Sequence, residues 1–230
     1  YGDHRDLHSF PTRRSSELNV PAFQRTLVPV ELEAMTRSGK KLHGRVFVLP
    51  DYLALGDDTD FVRIPLTIRS ARRLARELGC VLPTTRLVDV IHERAEVRVT
   101  SPRMGPGKRM GTMEYFVAHN QRIEERRRAA GGPLGALLSG PKKDLVITGR
   151  MLETPGRTPI YGWFASDGQP VQPLSLVHDD RYVDYAHGVR FVDGEMEVEG
   201  TIGVQRPEKV DQAAVKAALP HGRISVPVVK

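Results

Sequence analysis

Helical and extended patterning are segregated along this chain. The clearest runs with helical spacing lie before residue 130, and most of the extended runs follow residue 144. Ile68, Ala71, Leu74, Ala75 and Leu78 recur at the i, i+3, i+4 spacing of an amphipathic helix. Thr67 is placed to cap its start and Gly79 to end it. Leu87, Val88, Ile91 and Ala95 form a second stripe behind Pro83, a residue suited to a first helical position. Together they predict a helical hairpin, with Leu74, Leu78, Leu87 and Ile91 buried together against a sheet. Residues 113–129 predict a third helix, its Arg126–Arg128 run at the negative end of the helix dipole.

Residues 144–152, 158–164, 172–177, 181–192 and 195–204 read as extended, as does the earlier run 44–49. Asp167-Gly168 and Asp193-Gly194 are hairpin signals between them. Helices gathered ahead of strands argue for an α+β fold rather than alternating α/β. The expected architecture is a helical hairpin and a third helix packed on a mainly antiparallel sheet. The division expected is an N-terminal extension over 19–43, one α+β domain over 44–204, and a C-terminal extension or linker over 205–230. A short helix is expected over 211–219.

Residues 1–18, YGDHRDLHSFPTRRSSEL, stand apart. They resemble one reading frame of a sequencing-adapter oligonucleotide, with Glu17 where that frame gives Asp. The expectation is a non-native segment outside the fold, which leaves the compartment unassigned.

Composition narrows the function classes. Hydrophobic residues at 40% and a net charge of +6 in 230 residues suit a packed domain and exclude a disordered chain. No apolar run approaches the roughly 18 residues of a membrane span. A single cysteine, Cys80, excludes an internal disulfide and a multi-cysteine zinc site. Gly105-Pro106-Gly107-Lys108 lacks the spacing of a phosphate loop, and His178, Asp179, Asp180 and Asp184 read as a polar turn. No metal or cofactor is expected. The cations are dispersed without interleaved aromatics, which disfavours nucleic acid.

Two residues could carry chemistry. Cys80 lies just ahead of the second predicted helix, where a helix N-terminus favours a thiolate, although the preceding helix ends beside it. His187 lies in a predicted strand, sharing a side with Val183, Tyr185, Val189 and Phe191. Each has a plain structural reading, a small buried hydrophobe and a core histidine. A cysteine near a helix start followed by a histidine in a later sheet resembles papain-like and NlpC/P60-like thiol hydrolases. That likeness implies Cys80 as nucleophile, His187 as base, and an orienting third group such as Asp184, His178 or Gln172. The expected activity is thiol-dependent amide hydrolysis of peptide or cell-wall cross-links, with Tyr161, Trp163, Tyr185 and Gln172 lining the substrate cleft. The alternative is a non-catalytic module binding a glycan or peptide through the aromatic cleft of Tyr161, Trp163 and Tyr185. Ala186-His187-Gly188-Val189-Arg190 partly resembles the cysteine signature of L,D-transpeptidases, but valine stands at or near the cysteine position, which counts against that enzyme.

Residues 45–192 also resemble an uncharacterised group of environmental bacterial proteins. The likeness rests on Asp60–Arg63, Gly79–Thr84, His119-Asn120, Lys142–Asp144, Tyr161-Gly162-Trp163 and Tyr182–Arg190. It implies no activity. Phe164 and Ala186 stand where that group commonly has His and Ser.

Overall fold

A computed structural model describes residues 19–36, 38, 39 and 41–198. The adapter-like segment, the C-terminal extension and the helix expected at 211–219 lie outside the described residues.

The described residues form an α+β fold of four α-helices and several small, mainly antiparallel sheets. The first sheet holds β1 (Val28–Met35), β2 (Lys41–Val48), β12 (Val192–Val198) and β5 (Cys80–Val81), in that order across the sheet. The second holds β10 (Pro170–Ser175), β9 (Ile160–Phe164), β8 (Lys143–Leu145) and β11 (His187–Gly188). Two short pairs complete the strands: β3 (Ala54–Gly56) with β4 (Phe61–Arg63), and β6 (Val97–Arg98) with β7 (Leu138–Ser139). β11 runs parallel to β8, and β6 runs parallel to β7. β1 lies within the segment read as an extension, and Val20, Leu27 and Val30 from that segment are buried.

Each long helix opens on a threonine whose hydroxyl accepts a backbone N–H that the helix itself leaves unpaired. Thr67 caps α1 (Ile68–Glu77) through Ser70, Thr84 caps α2 (Thr85–Arg94) through Leu87, and Thr112 caps α3 (Met113–Ala129) through Tyr115. A one-turn helix, α4, spans Arg150–Glu153 and replaces the end of the 144–152 run expected to be strand.

The two helices of the hairpin serve different cores. Leu78 and, less completely, Leu74 pack with Leu49, Leu53, Val189 and Phe191. Leu87 and Ile91 pack instead with Val30, Val46, Val48 and Val192. The expected single cluster of four is therefore two. The reason is that α2 is buried on several faces: Val88 turns to Val146 and Phe164, and the His92 ring stacks on Phe164 at 3.7 Å.

Two other expectations change. Asp167-Gly168 does turn β9 into β10, with Gly168 at φ 78°. Asp193-Gly194 makes no hairpin. β12 runs through it, pairing with β5 at Val192 and Asp193 and with β2 on its other edge, where the register shifts between Val192 and Met196. Gly194 suits that crossing, because a Cβ there would meet the Gly79 carbonyl oxygen at 2.4 Å. Within the run 181–192 only His187–Gly188 and the terminal Val192 are strand. Upstream, the Asp179 carboxylate accepts the amides of Arg181 and Tyr182, and Asp184 accepts that of Ala186. Side-chain acceptors of this kind draw backbone donors away from a ladder.

Candidate functional site

β8 and β11 lie side by side, with Lys143 opposite His187 and Asp144 opposite Gly188. Successive side chains on a strand point to opposite faces, so this pairing separates two polar groups.

On one side lies a partly open patch. The Lys143 ammonium stands 3.9 Å from the Asp184 carboxylate and 4.8 Å from the centre of the Trp163 ring. The guanidinium of Arg103, on the exposed loop after β6, approaches the same ring at 5.1 Å. Both distances lie within cation–π range. The Tyr182 hydroxyl donates to Asp184 at 3.0 Å. Its ring stacks on His178 at 3.9 Å and meets the His187 ring edge-on at 5.6 Å. Trp163 follows Gly162 at φ 99° and itself takes φ 58°. A bulky residue in left-handed backbone is strained, and such strain gathers at functional sites. The Trp163 indole N–H is buried and meets no acceptor among the described residues.

His187 forms the floor of this patch. Its side chain is fully buried, and neither ring nitrogen has a hydrogen-bond partner among the described residues. Burial pulls its pKa below the ordinary histidine value, helped by Lys143, His178 and Lys142 and opposed by Asp184. The ring is thus neutral near pH 7 and can act as a hydrogen-bond donor and acceptor at once. Burial and the Asp184 charge push the Tyr182 phenol up to about 12, so it stays a donor.

On the other side lies a closed network. Lys142 donates to the carbonyls of Tyr185 (2.8 Å) and His187 (3.3 Å). The Tyr52 hydroxyl donates to Asp144 at 3.0 Å, and Arg190 lies 4.7 Å from the Tyr52 ring. Burial drives the Asp144 carboxyl up to about 7 against the pull of Arg190 and Tyr52, and drives Lys142 down to about 7, reinforced by Arg63. Arg63 joins Asp51, Asn120 and Glu124 beyond it.

The residues expected from sequence divide between these groups and elsewhere. Asp184, His187 and Trp163 meet at the open patch. Tyr185 is buried, its hydroxyl tied to the backbone of Met104. The Tyr161 hydroxyl donates to Asp89 of α2 at 2.7 Å. Gln172, on β10, hydrogen-bonds the adjacent Pro173 carbonyl. These three share no contact that would make one aromatic cleft with Trp163. Cys80 lies in β5, with Thr84 and the start of α2 well beyond it, so that helix dipole, which fades within a turn, gives its thiol little help. The thiol packs against the apolar core around Leu78 and Phe191 and points at the Leu78 carbonyl. Burial, then the charge of Asp193, pushes it up to about 12, away from thiolate. Cys80 and His187 occupy different sheets with different neighbours.

Arg103, Lys143, Lys142 and His119 are site residues that no catalytic or binding motif in the sequence marks. Among the described residues no group of three or more His, Cys, Asp or Glu could hold a metal, and no helix is long and apolar enough to cross a membrane.

Fold and site together define an α+β protein whose buried polar interior borders a cationic, aromatic patch. A family model described as "Conserved hypothetical protein (Lin0512_fam)" matches residues 183–230. The match takes in Asp184, Tyr185 and His187 and accords with an uncharacterised protein group. No curated protein and no solved structure matches the chain.

Proposed function

We propose that the chain binds a carboxylate-bearing peptide or cell-wall polymer at the Trp163 patch. The observation that carries this is Trp163 itself: strained backbone, an indole N–H with no acceptor, and two cations against its ring. Arg103 forms no ion pair among the described residues, which leaves its fork open to a carboxylate. Lys143 adds charge, and the indole supplies an apolar surface. Thiol-dependent hydrolysis with Cys80 as nucleophile is the rival reading. It needs a thiolate within reach of the His187 imidazole, and the surroundings of Cys80 favour the neutral thiol.

Trp163 is the chain's one tryptophan, so intrinsic fluorescence reports this site alone. Titration with an acidic oligopeptide and with soluble peptidoglycan fragments should give a saturable change, and their amidated counterparts should not. Arg103→Ala should weaken binding about tenfold, the worth of one charge-assisted hydrogen bond. Cys80→Ser should leave it unchanged. No response to any acidic ligand, or equal response to the amidated ones, overturns the reading.

A further inference from the structure

A second group of unpaired donors lies deeper, behind Tyr185. We propose that the interior between His119 of α3 and Lys142 binds a small inorganic anion. This inference uses residues apart from the Trp163 patch and does not depend on it.

His119 is fully buried, and neither ring nitrogen has a partner among the described residues. Its ring meets the edge of Tyr185 at 4.8 Å. Lys142, 1% exposed, reaches the same residue from the other end, through the Tyr185 carbonyl at 2.8 Å. Its hydrogen bonds run to two neutral carbonyls, which leaves the ammonium one further proton to donate. On the loop after β6, the Met104 backbone holds the Tyr185 hydroxyl. One imidazole N–H and one ammonium N–H, both on groups that touch Tyr185, therefore lack acceptors among the described residues, and a buried donor left unpaired is costly.

The surrounding charges indicate what the acceptor is. The charges that act on His119 are those of Lys142, Arg63, Arg122 and Arg126. Arg63 is held by Asp51 and Glu124, and Arg122 and Arg126 are exposed, so Lys142 is the buried cation among them that no carboxylate contacts. The carboxylates facing Lys142, Asp184 and Asp51, are already engaged: Asp184 by Tyr182, Lys143 and the Ala186 amide, Asp51 by Arg63 and the Tyr52 amide. Water would meet the donors and leave the Lys142 charge uncompensated. An anion meets both, and it holds Lys142 in the charged form.

Proton linkage follows. An anion that requires protonated Lys142 draws in a proton when it binds above pH 7, where that amine is otherwise largely neutral. Sulfate and chloride do not titrate between pH 6 and 8, so calorimetry of the full chain in two buffers of different ionisation enthalpy reads the uptake directly. Saturable binding with uptake approaching one proton at pH 8 and little at pH 6 is expected. Preference between the two ions shows whether the site is shaped for a tetrahedral or a spherical anion. Lys142→Met should abolish the uptake and weaken binding at least tenfold. His119→Gln should weaken it less. Because Lys142→Met could fail to fold, the His119 ring resonances of the wild type are followed as well, and they should shift on titration. No saturable binding of either ion, unmoved His119 resonances, or unchanged binding in folded Lys142→Met overturns the proposal and assigns the unpaired donors to water. The Arg103→Ala variant should bind the anion normally, which separates this site from the Trp163 patch.

Discussion

Arg63 of β4 and Glu124 of α3 meet at 2.8 Å, and the guanidinium that joins them is wholly buried. Asp51 takes the same guanidinium at 2.6 Å, and Arg127 covers the other oxygen of Glu124 at 2.7 Å. This network ties α3, and so His119 and Asn120, to β4. Removing the shared cation would strand the buried Asp51 carboxylate and leave Glu124 with Arg127 alone. Arg63→Met should therefore cost about 3–5 kcal/mol, as breaking a buried ion pair does. A urea midpoint within error of wild type would show that these charges are solvated in solution.

Acid should destabilise the fold from pH 6.5 downward. Burial lowers His92 to about 4 and His119 to about 2, and it lowers His187 too. An unfolded histidine takes its proton near pH 6.5, so between that pH and the folded values the unfolded chain binds more protons, and stability falls as pH falls. Asp144 acts the other way. Its folded value near 7 exceeds the ordinary carboxylate value, so the protonated native form gains relative to the unfolded chain as pH falls from about 7 to 4. Three histidines outweigh one aspartate. Denaturation midpoints measured from pH 7.5 to 4.5 should decline, and His119→Gln should flatten the decline. A midpoint that rises over this range contradicts the assignment of neutral buried imidazoles.

Gly188 has a steric reason to be glycine. A Cβ there would lie 2.5 Å from the Tyr52 ring and 2.8 Å from Lys142 Cβ. Tyr52 has little room to give, since its hydroxyl is bound to Asp144 and its face to Arg190. Gly188→Ala should destabilise by about 1–3 kcal/mol, the usual range for overpacking. An unchanged melting temperature would mean that the Tyr52 ring moves freely.

The helices were legible in the sequence because their signals are local: threonine caps, apolar stripes and a glycine stop. The two-sided role of α2 was not, since Leu87 and Val88 look alike in one dimension and diverge only when two sheets flank the helix. Asp184 and His187 were legible as polar residues in an apolar setting. Lys142 and Lys143 were not, because a lysine pair reads as solvated surface and nothing nearby shows that β11 will bury one and Trp163 cover the other. Nor does a sequence show that Trp163 must follow Gly162 into left-handed backbone. The stretch 181–192 misled for a physical reason: its apolar alternation is that of a strand, but Asp179 and Asp184 take the backbone donors that a strand would need.

Cys80 separates the remaining readings of this protein. A thiol hydrolase needs Cys80 as thiolate, which requires a cation or helix N-terminus beside it. The thiol instead faces the Leu78 carbonyl and the negative charge of Asp193, within an apolar cluster. Both neighbours disfavour negative charge on sulfur. Iodoacetamide should accordingly label native Cys80 slowly at pH 7–8, at a rate set by opening of the fold, and rapidly once urea unfolds the chain. His187→Ala should leave the native rate unchanged, because His187 belongs to another sheet. Asp193→Asn should raise it modestly by removing the nearer charge. Rapid labelling at pH 6 that is lost in His187→Ala would reinstate the cysteine–histidine mechanism and displace the Trp163 patch as the centre of function.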